Sequence, residues 1–306
     1  MPEIETLVAG SLNIDLVVQA PRFPEPGETI QGEDLQTIPG GKGSNQAAAA
    51  ARQGLKTALI GRVGDDAYGK LLLSRLEHLG VNTSQIKRDS QAATGSAVII
   101  VNRSGENSIV LSPGANANVS ASDLDQAEEL FQNAELLLLQ LEIPLPTVTH
   151  AAQLGKRNGL RVILNPAPAA ELPTALLEAV DILVPNETEL ALLSGQELDG
   201  ERALEEAARS LLERGPQVVI VTLGSRGAML VTRKKVSRIP VREVEVVDTT
   251  AAGDAFIGGL ASGLQQNLAL ENAVQYANCA GALATTKFGA QPSLPTREEV
   301  ESFYHS

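Results

Sequence analysis

Short apolar runs alternate with helix-length amphipathic segments along most of this 306-residue chain. Strand patterns occupy residues 6–12, 57–63, 135–141, 161–164, 182–185, 218–222 and 228–232. Helical patterns occupy 44–53, 69–79, 122–132, 146–158, 172–179, 187–194 and 201–214. A repeated strand–helix–strand order places neighbouring strands in parallel, with helices packed over the faces. The pattern predicts an α/β fold: a doubly wound, mostly parallel sheet flanked by helices. Leu136-Leu137-Leu138-Leu139 has no polar face, as suits a strand covered on both sides. The last third, 251–303, reads as mostly helical.

Two stretches break this rhythm. Residues 13–38 and 94–112 hold strand-like runs at 14–19, 96–102 and 108–111 with no long helix between them. They predict a small antiparallel sheet inserted into a single 1–306 domain, a β-sheet lid over the body.

A net charge of −13 argues against nucleic-acid or anionic-membrane binding, which call for basic faces. Cys279 is the one cysteine, so no disulfide can form within the chain. His78, His150 and His305 stand alone, without a Cys or His partner at metal-binding spacing. Residues 1–7 lack the basic and apolar regions of a secretory signal, and no run reaches membrane-spanning length. A cytoplasmic protein is expected.

The segment Asp248-Thr249-Thr250-Ala251-Ala252-Gly253-Asp254 precedes an apolar run bearing Gly258, Gly259 and Gly263. The run reads as a closely packed helix, and the small residues before it let backbone N–H groups converge at its start. Such an end binds anions, because its amides are unpaired and the helix dipole favours negative charge. Asp254 then stands where an anion should bind. It is either an exposed residue of a capped helix start or a carboxylate that takes a proton from a hydroxyl while the amides hold a phosphoryl group.

A second Gly-rich stretch, Pro39-Gly40-Gly41-Lys42-Gly43-Ser44-Asn45-Gln46, opens another helix. It fails as a P-loop, because Gly43 follows Lys42 where Ser or Thr is required. It fails as a dinucleotide fingerprint, because Gln46 stands where Gly or Ala is needed. A polar sugar pocket and a hinge both remain open. Asn13 and Asp15 alternate with Ile14 and Leu16, so they share one face of a strand. That face is either exposed or partnered by the hydroxyls of a polyol. Glu142 ends a buried strand, and ligands in open parallel sheets sit at strand carboxyl ends. Asn186 follows another strand, where it could cap a helix or, with Glu189, meet Mg²⁺-linked phosphates. The loop Thr222-Leu223-Gly224-Ser225-Arg226-Gly227 follows a third strand, and Arg226 offers positive charge to a nucleotide.

Taken together, these residues resemble the ribokinase-like (PfkB-type) carbohydrate kinases over nearly the full chain. The two signatures are the stretches at 40–45 and 248–254. Asn13-Ile14-Asp15, Pro113-Gly114-Ala115-Asn116, Asn165-Pro166-Ala167-Pro168 and Gly289-Ala290-Gln291-Pro292-Ser293 look like the members that phosphorylate ribose. The resemblance implies ATP-dependent phosphorylation of D-ribose at O5 and a homodimer formed through the lid. It implies ribose contacts at Asn13, Asp15, Gly41, Lys42, Asn45 and Glu142, with Asp254 as base. The amides of Ala251, Ala252 and Gly253 would hold the phosphoryl group. Nucleotide contacts fall at Asn186, Thr222, Leu223, Gly224, Ser225, Arg226, Gly227, Gly253 and Asn278, where a His is more familiar than Asn278. A potassium site built largely of carbonyls falls at Asp248, Thr250, Ala284, Lys287, Gly289 and Ser293; Thr250 and Lys287 depart from the usual residues. Mg²⁺ would be held indirectly by Glu189. Kinases for deoxyribose or fructose, and a non-catalytic sugar sensor, are the alternatives.

Overall fold

In the computed structural model, which describes residues 4–306, the chain forms two sheets that share no strand. The strands are β1 (Thr6–Ala9), β2 (Asn13–Gln19), β3 (Gln36–Gly40), β4 (Thr57–Gly64), β5 (Ile86–Asp89), β6 (Gly95–Val101), β7 (Asn107–Ser112), β8 (Leu136–Leu139), β9 (Arg161–Leu164), β10 (Ile182–Leu183), β11 (Val218–Thr222), β12 (Ala228–Thr232) and β13 (Val236–Ile239). Nine of them make the body sheet, in the order β13-β12-β11-β10-β9-β8-β1-β4-β5. From β5 across to β11 every pairing is parallel; β12 and β13 add antiparallel to one edge. Residues 1–3, where the segment read as lacking a secretory signal begins, lie outside the described residues.

Helices cover both faces of this sheet. Leu137 and Leu139 enter one core cluster and Leu136 and Leu138 the other, so the four-leucine run is covered on both sides. None of the described helices is long and apolar enough to cross a membrane. The doubly wound reading holds, with local differences. The helical pattern at 122–132 is broken into Ala121–Asp125 and Glu128–Asn133, and that at 172–179 shortens to Thr174–Leu177 behind Pro173. Strands β5 and β13 carry little apolar sequence because they are short and lie at the two edges of the sheet.

The first strand stops at Ala9 rather than at 12. A Cβ on Gly10 would lie 2.7 Å from Gly43 Cα, so the chain passes here against the start of helix Lys42–Arg52 and then leaves the body as β2. The second sheet has the order β3-β2-β6-β7. It is not wholly antiparallel as expected: β2 and β6 pair in parallel. Each begins a hairpin that starts and ends at the body, and the two outgoing strands are the ones placed side by side. Asn13 is in register with both Gly40 and Gly95, and Asp15 with Ile38 and Ala97. Strand β7 pairs only with β6, and all six of its residues are exposed.

Helix Ala252–Gln265 lies between helices Lys42–Arg52 and Leu270–Ala284. The close packing read from its glycines is present. Cβ atoms on Gly258, Gly259 and Gly263 would fall within 2.5 Å of Ala49, 2.7 Å of Ala280 and 2.9 Å of Ala273. Here glycine works by its small size, letting backbones approach one another.

Candidate active site

The carboxyl ends of β1, β8, β9, β10 and β11 face one crevice, the usual place for a ligand in an open parallel sheet. Loops from these ends meet the starts of helices Lys42–Arg52, Glu187–Ser194 and Ala252–Gln265. They enclose a cleft of about 230 Å³ lined by Lys42, Asn165, Asn186, Glu189, Thr222, Thr249 and the run from Ala251 to Asp254.

Asp254 is 6% exposed on the first turn of its helix, so it is not a solvated cap. Asn45 Nδ2 donates to its Oδ2 at 3.0 Å and Gln46 Nε2 to its Oδ1 at 3.0 Å. Burial pushes its pKa up, while Lys42 and the two amides pull the other way. A carboxylate with raised affinity for a proton, held open by two neutral donors, is fitted to act as a base. Lys42 is buried too; burial alone would lower its pKa, but Asp254, Glu142 and Glu189 hold it above its usual value. It therefore stays an ammonium.

On the side of the small sheet, Glu142 Oε2 accepts from Ser11 Oγ at 2.6 Å, Lys42 N at 3.0 Å and Asn13 Nδ2 at 3.5 Å. Asn116 Nδ2 donates to Asn13 Oδ1 at 2.7 Å. Gly41 has φ 90°, a conformation open to glycine, and a Cβ there would strike the Asn13 backbone nitrogen at 2.6 Å. Asp15 is raised to about pKa 6, first by burial and then by Glu142 and Asp254. Three carboxylates and one ammonium thus gather beside the start of β2, close enough to shift one another's protonation. Asn45 Oδ1 is buried with no partner among the described residues, as befits an acceptor awaiting a hydroxyl.

The opposite end suits an anion. Ala251 takes the left-handed conformation, φ 60°, and turns the chain into its helix. Against expectation the Ala252 N–H is taken, donating to the Thr249 carbonyl at 3.2 Å, whereas among the described residues no turn or loop bond takes the N–H of Ala251 or Gly253. A Cβ added to Gly253 would meet nothing within 4 Å, so open space lies in front of it. Such a cradle fits a phosphate. Asn186 caps helix Glu187–Ser194, and Glu189 answers it in a capping box with N···O distances of 2.8 and 2.9 Å. Thus the cap reading of Asn186 holds, and both side chains still line the cleft.

Not every expected residue reaches that cleft. Arg226 is exposed and donates to Glu187 at 2.5 Å. Leu223 is buried, while Gly224 and Ser225 stand exposed on a short turn after β11. Asn278 is buried and donates to the Ile239 carbonyl at 3.0 Å, so it straps the end of β13. Asp248 joins two loops: its carboxylate accepts from Thr250 N and Gly289 N, each at 2.9 Å. Lys287 turns outward to Glu299 at 2.8 Å, and Ser293 Oγ donates to the Ala290 carbonyl. Among the described residues, no turn or loop N–H reaches the carbonyls of Asp248, Thr250 or Lys287, a donor set that suits a large monovalent cation.

Ser11, Gln46, Asn116, Gln140 and Asn165 belong to the site; Gln46, Asn116 and Asn165 fell within motifs quoted from the sequence, but none of the five was given a site role there. Each bonds a partner about a hundred residues away or more, which no local pattern announces.

A family model described as pfkB family carbohydrate kinase matches residues 4–297. The chain is 44% identical over 297 residues to a ribokinase of Haemophilus influenzae, covering 97% of each. It is 38% identical over 301 residues to a deoxyribokinase of Salmonella typhi, covering 98% of each. Among solved structures, the Arabidopsis thaliana ribokinase complexed with ribose and ATP superposes with a TM-score of 0.93 at 34% identity, over 99% of both chains.

Proposed function

From the premise that this chain belongs to the pfkB family of carbohydrate kinases, we propose that it phosphorylates D-ribose at O5 with ATP, giving D-ribose 5-phosphate. The observation that carries this reading is Asp254: a buried carboxylate, held by two amide donors, beside the open face of Gly253. ATP bound with Mg²⁺ supplies the phosphoryl group, and phosphoryl transfer otherwise needs positioning and charge stabilisation.

Asp254 takes the proton of the O5 hydroxyl, so that oxygen can attack phosphorus as the bond to the departing ADP breaks. The amides of Ala251 and Gly253 and the Lys42 ammonium stabilise the charge on the moving group. Asn13, Asp15, Asn45 and Glu142 hold the sugar hydroxyls, and the small sheet closes over them as a lid. Asn186, Glu189 and Thr222 flank the phosphates in the cleft, with the turn Leu223–Gly227 beyond it toward the rest of the nucleotide, and Glu189 would hold Mg²⁺ indirectly. Potassium would lie among the carbonyls of Asp248, Thr250, Ala284, Lys287, Gly289 and Ser293, fixing the loop that carries the amides. Dependence on ATP fits action in the cytoplasm.

A homodimer through the lid completes the reading. Strand β7 offers a free edge, and Val98 on β6 and Val110 on β7 lie opposite one another on the sheet face away from Asp15, 45% and 68% exposed.

The test is ADP release with a panel of pentoses, hexoses and nucleosides, run in K⁺ and in Na⁺ at equal ionic strength. Loss of one hydrogen bond to a hydroxyl costs about 1–3 kcal/mol. Ribose should therefore exceed 2-deoxyribose in kcat/KM by roughly 5–150-fold, and K⁺ should exceed Na⁺ in rate. Preference for deoxyribose or fructose would overturn the acceptor while leaving a sugar kinase. Equal rates in the two salts would remove the potassium site.

A further inference from the structure

A line of side-chain amides runs from Asp254 into the body. Gln46 Nε2 donates to Asp254 Oδ1 at 3.0 Å and to Asn165 Oδ1 at 3.2 Å. Gln46 Oε1 accepts from Gln140 Nε2 at 2.6 Å, and Asn165 Nδ2 donates to the Val184 carbonyl at 3.1 Å. Gln46 and Gln140 are fully buried.

The direction of this line follows from its end groups. An ionised carboxylate only accepts, so Gln46 must turn its NH₂ to Asp254. Its carbonyl oxygen then needs a donor, and Gln140 supplies one. The Val184 carbonyl likewise turns Asn165, so that Asn165 offers an oxygen to Gln46. Reversing Gln46 would set oxygen against Asp254 and against Asn165, and NH₂ against NH₂ at Gln140. The arrangement has a cost. Gln140 Oε1 is buried with no partner among the described residues, in space left by Gly10, where a Cβ would lie 2.1 Å away.

We propose that Gln46, oriented by Gln140, is a positioning residue for the base, holding the Asp254 carboxylate ionised and fixed in rotation until it takes the hydroxyl proton. The proposal rests on Asp254 being that base. Asn45 holds the other carboxylate oxygen from the same helix. Lys42, at the start of that helix, favours the ionised form of Asp254; Glu142 after β8 and Asp15 on β2 oppose it.

The test uses Gln46→Met, which keeps the volume and removes the donor, and Gln140→Met, which leaves Asp254 and Gln46 in place. Difference infrared titration of the substrate-free chain follows the protonated-carboxyl band that Asp254→Asn abolishes. Losing a donor to the ionised form raises the midpoint: about one unit for Gln46→Met, less in the same direction for Gln140→Met. The acid limb of kcat/KM should move with it, while ATP still raises the melting temperature as in the wild type. A midpoint unmoved in both variants overturns the proposal. If Gln46→Met does not fold, Gln140→Met alone decides. Should the wild type leave ribose unphosphorylated, the acceptor assignment fails and the infrared midpoint still judges the relay.

Discussion

At the scale of single residues, two acids of the same pocket should behave differently when replaced by their amides. Asp254→Asn keeps the shape and removes the basicity. It should lower kcat by roughly 10²–10⁴-fold with ATP binding largely retained, and a variant keeping more than about a tenth of the wild-type kcat would exclude the base role. Asp15 is raised from 3.8 to about 6, so between those values the folded chain binds more protons than the unfolded one. Stability therefore falls as pH rises through that window, and the penalty is complete above it. Asp15→Asn should raise the melting temperature of the sugar-free protein at pH 7.5, by at most about 3 kcal/mol of stability, and change little near pH 4. Its ribose kcat/KM should fall. Melting curves at the two pH values decide, and an equal effect at both would remove the titration from the explanation. Asp254 was legible in sequence because its setting is local: glycine and small residues before an apolar helix. Gln46 was not. It was read only as the residue that spoils a dinucleotide fingerprint, since its partners Gln140, Asn165 and Asp254 come from three other elements.

At the scale of elements, helix Ala252–Gln265 carries glycines with opposite duties. Gly258 packs against the helix that bears Asn45 and Gln46, so its size sets the reach of those amides to Asp254. Gly253 faces open cleft. Gly258→Val should destabilise the protein by about 1–3 kcal/mol and lower kcat, because the two helices must part. Gly253→Ala should leave stability equal or gain about 0.5–1 kcal/mol, while ATP use suffers from a methyl placed in the phosphate cradle. Denaturant titration beside kinetics separates the two; loss of stability in Gly253→Ala would refute the open-cleft assignment. Strands β9, β11 and β12 were legible to the residue, because each is an apolar run with a polar residue only at one end, set between turns. The edge strands β5 and β13 were not, because half-solvated edges need no apolar run. The parallel pairing of β2 with β6 depends on where two distant hairpins are rooted, which strand propensity does not encode.

Across the whole molecule, the exposed strand β7 sets the expected assembly. Val110→Asp should convert a dimer into a monomer in sedimentation equilibrium, since one buried charge on each copy would oppose the pairing. Ribose turnover should persist, because Val110 lies on the face away from Asp15. A wild-type chain that sediments as a monomer at micromolar concentration would end the dimer proposal.

The root of the small sheet has a further consequence. Asn13, where the chain enters that sheet, is paired in register with Gly40 and Gly95 and bonded to Asn116 just beyond β7. If the small sheet closes as the proposed lid, grip and pivot coincide: the residue that would hold the sugar is the one about which that sheet would swing. A water molecule entering in place of a sugar cannot span Asn13, Asp15 and Asp254 together, so nothing draws the sheet down over it. Idle hydrolysis of nucleotide should be slow for that reason alone, with ADP formed in the absence of sugar as its measure. On that reading, restraint in the absence of sugar would follow from where two hairpins are attached, without a separate inhibitor.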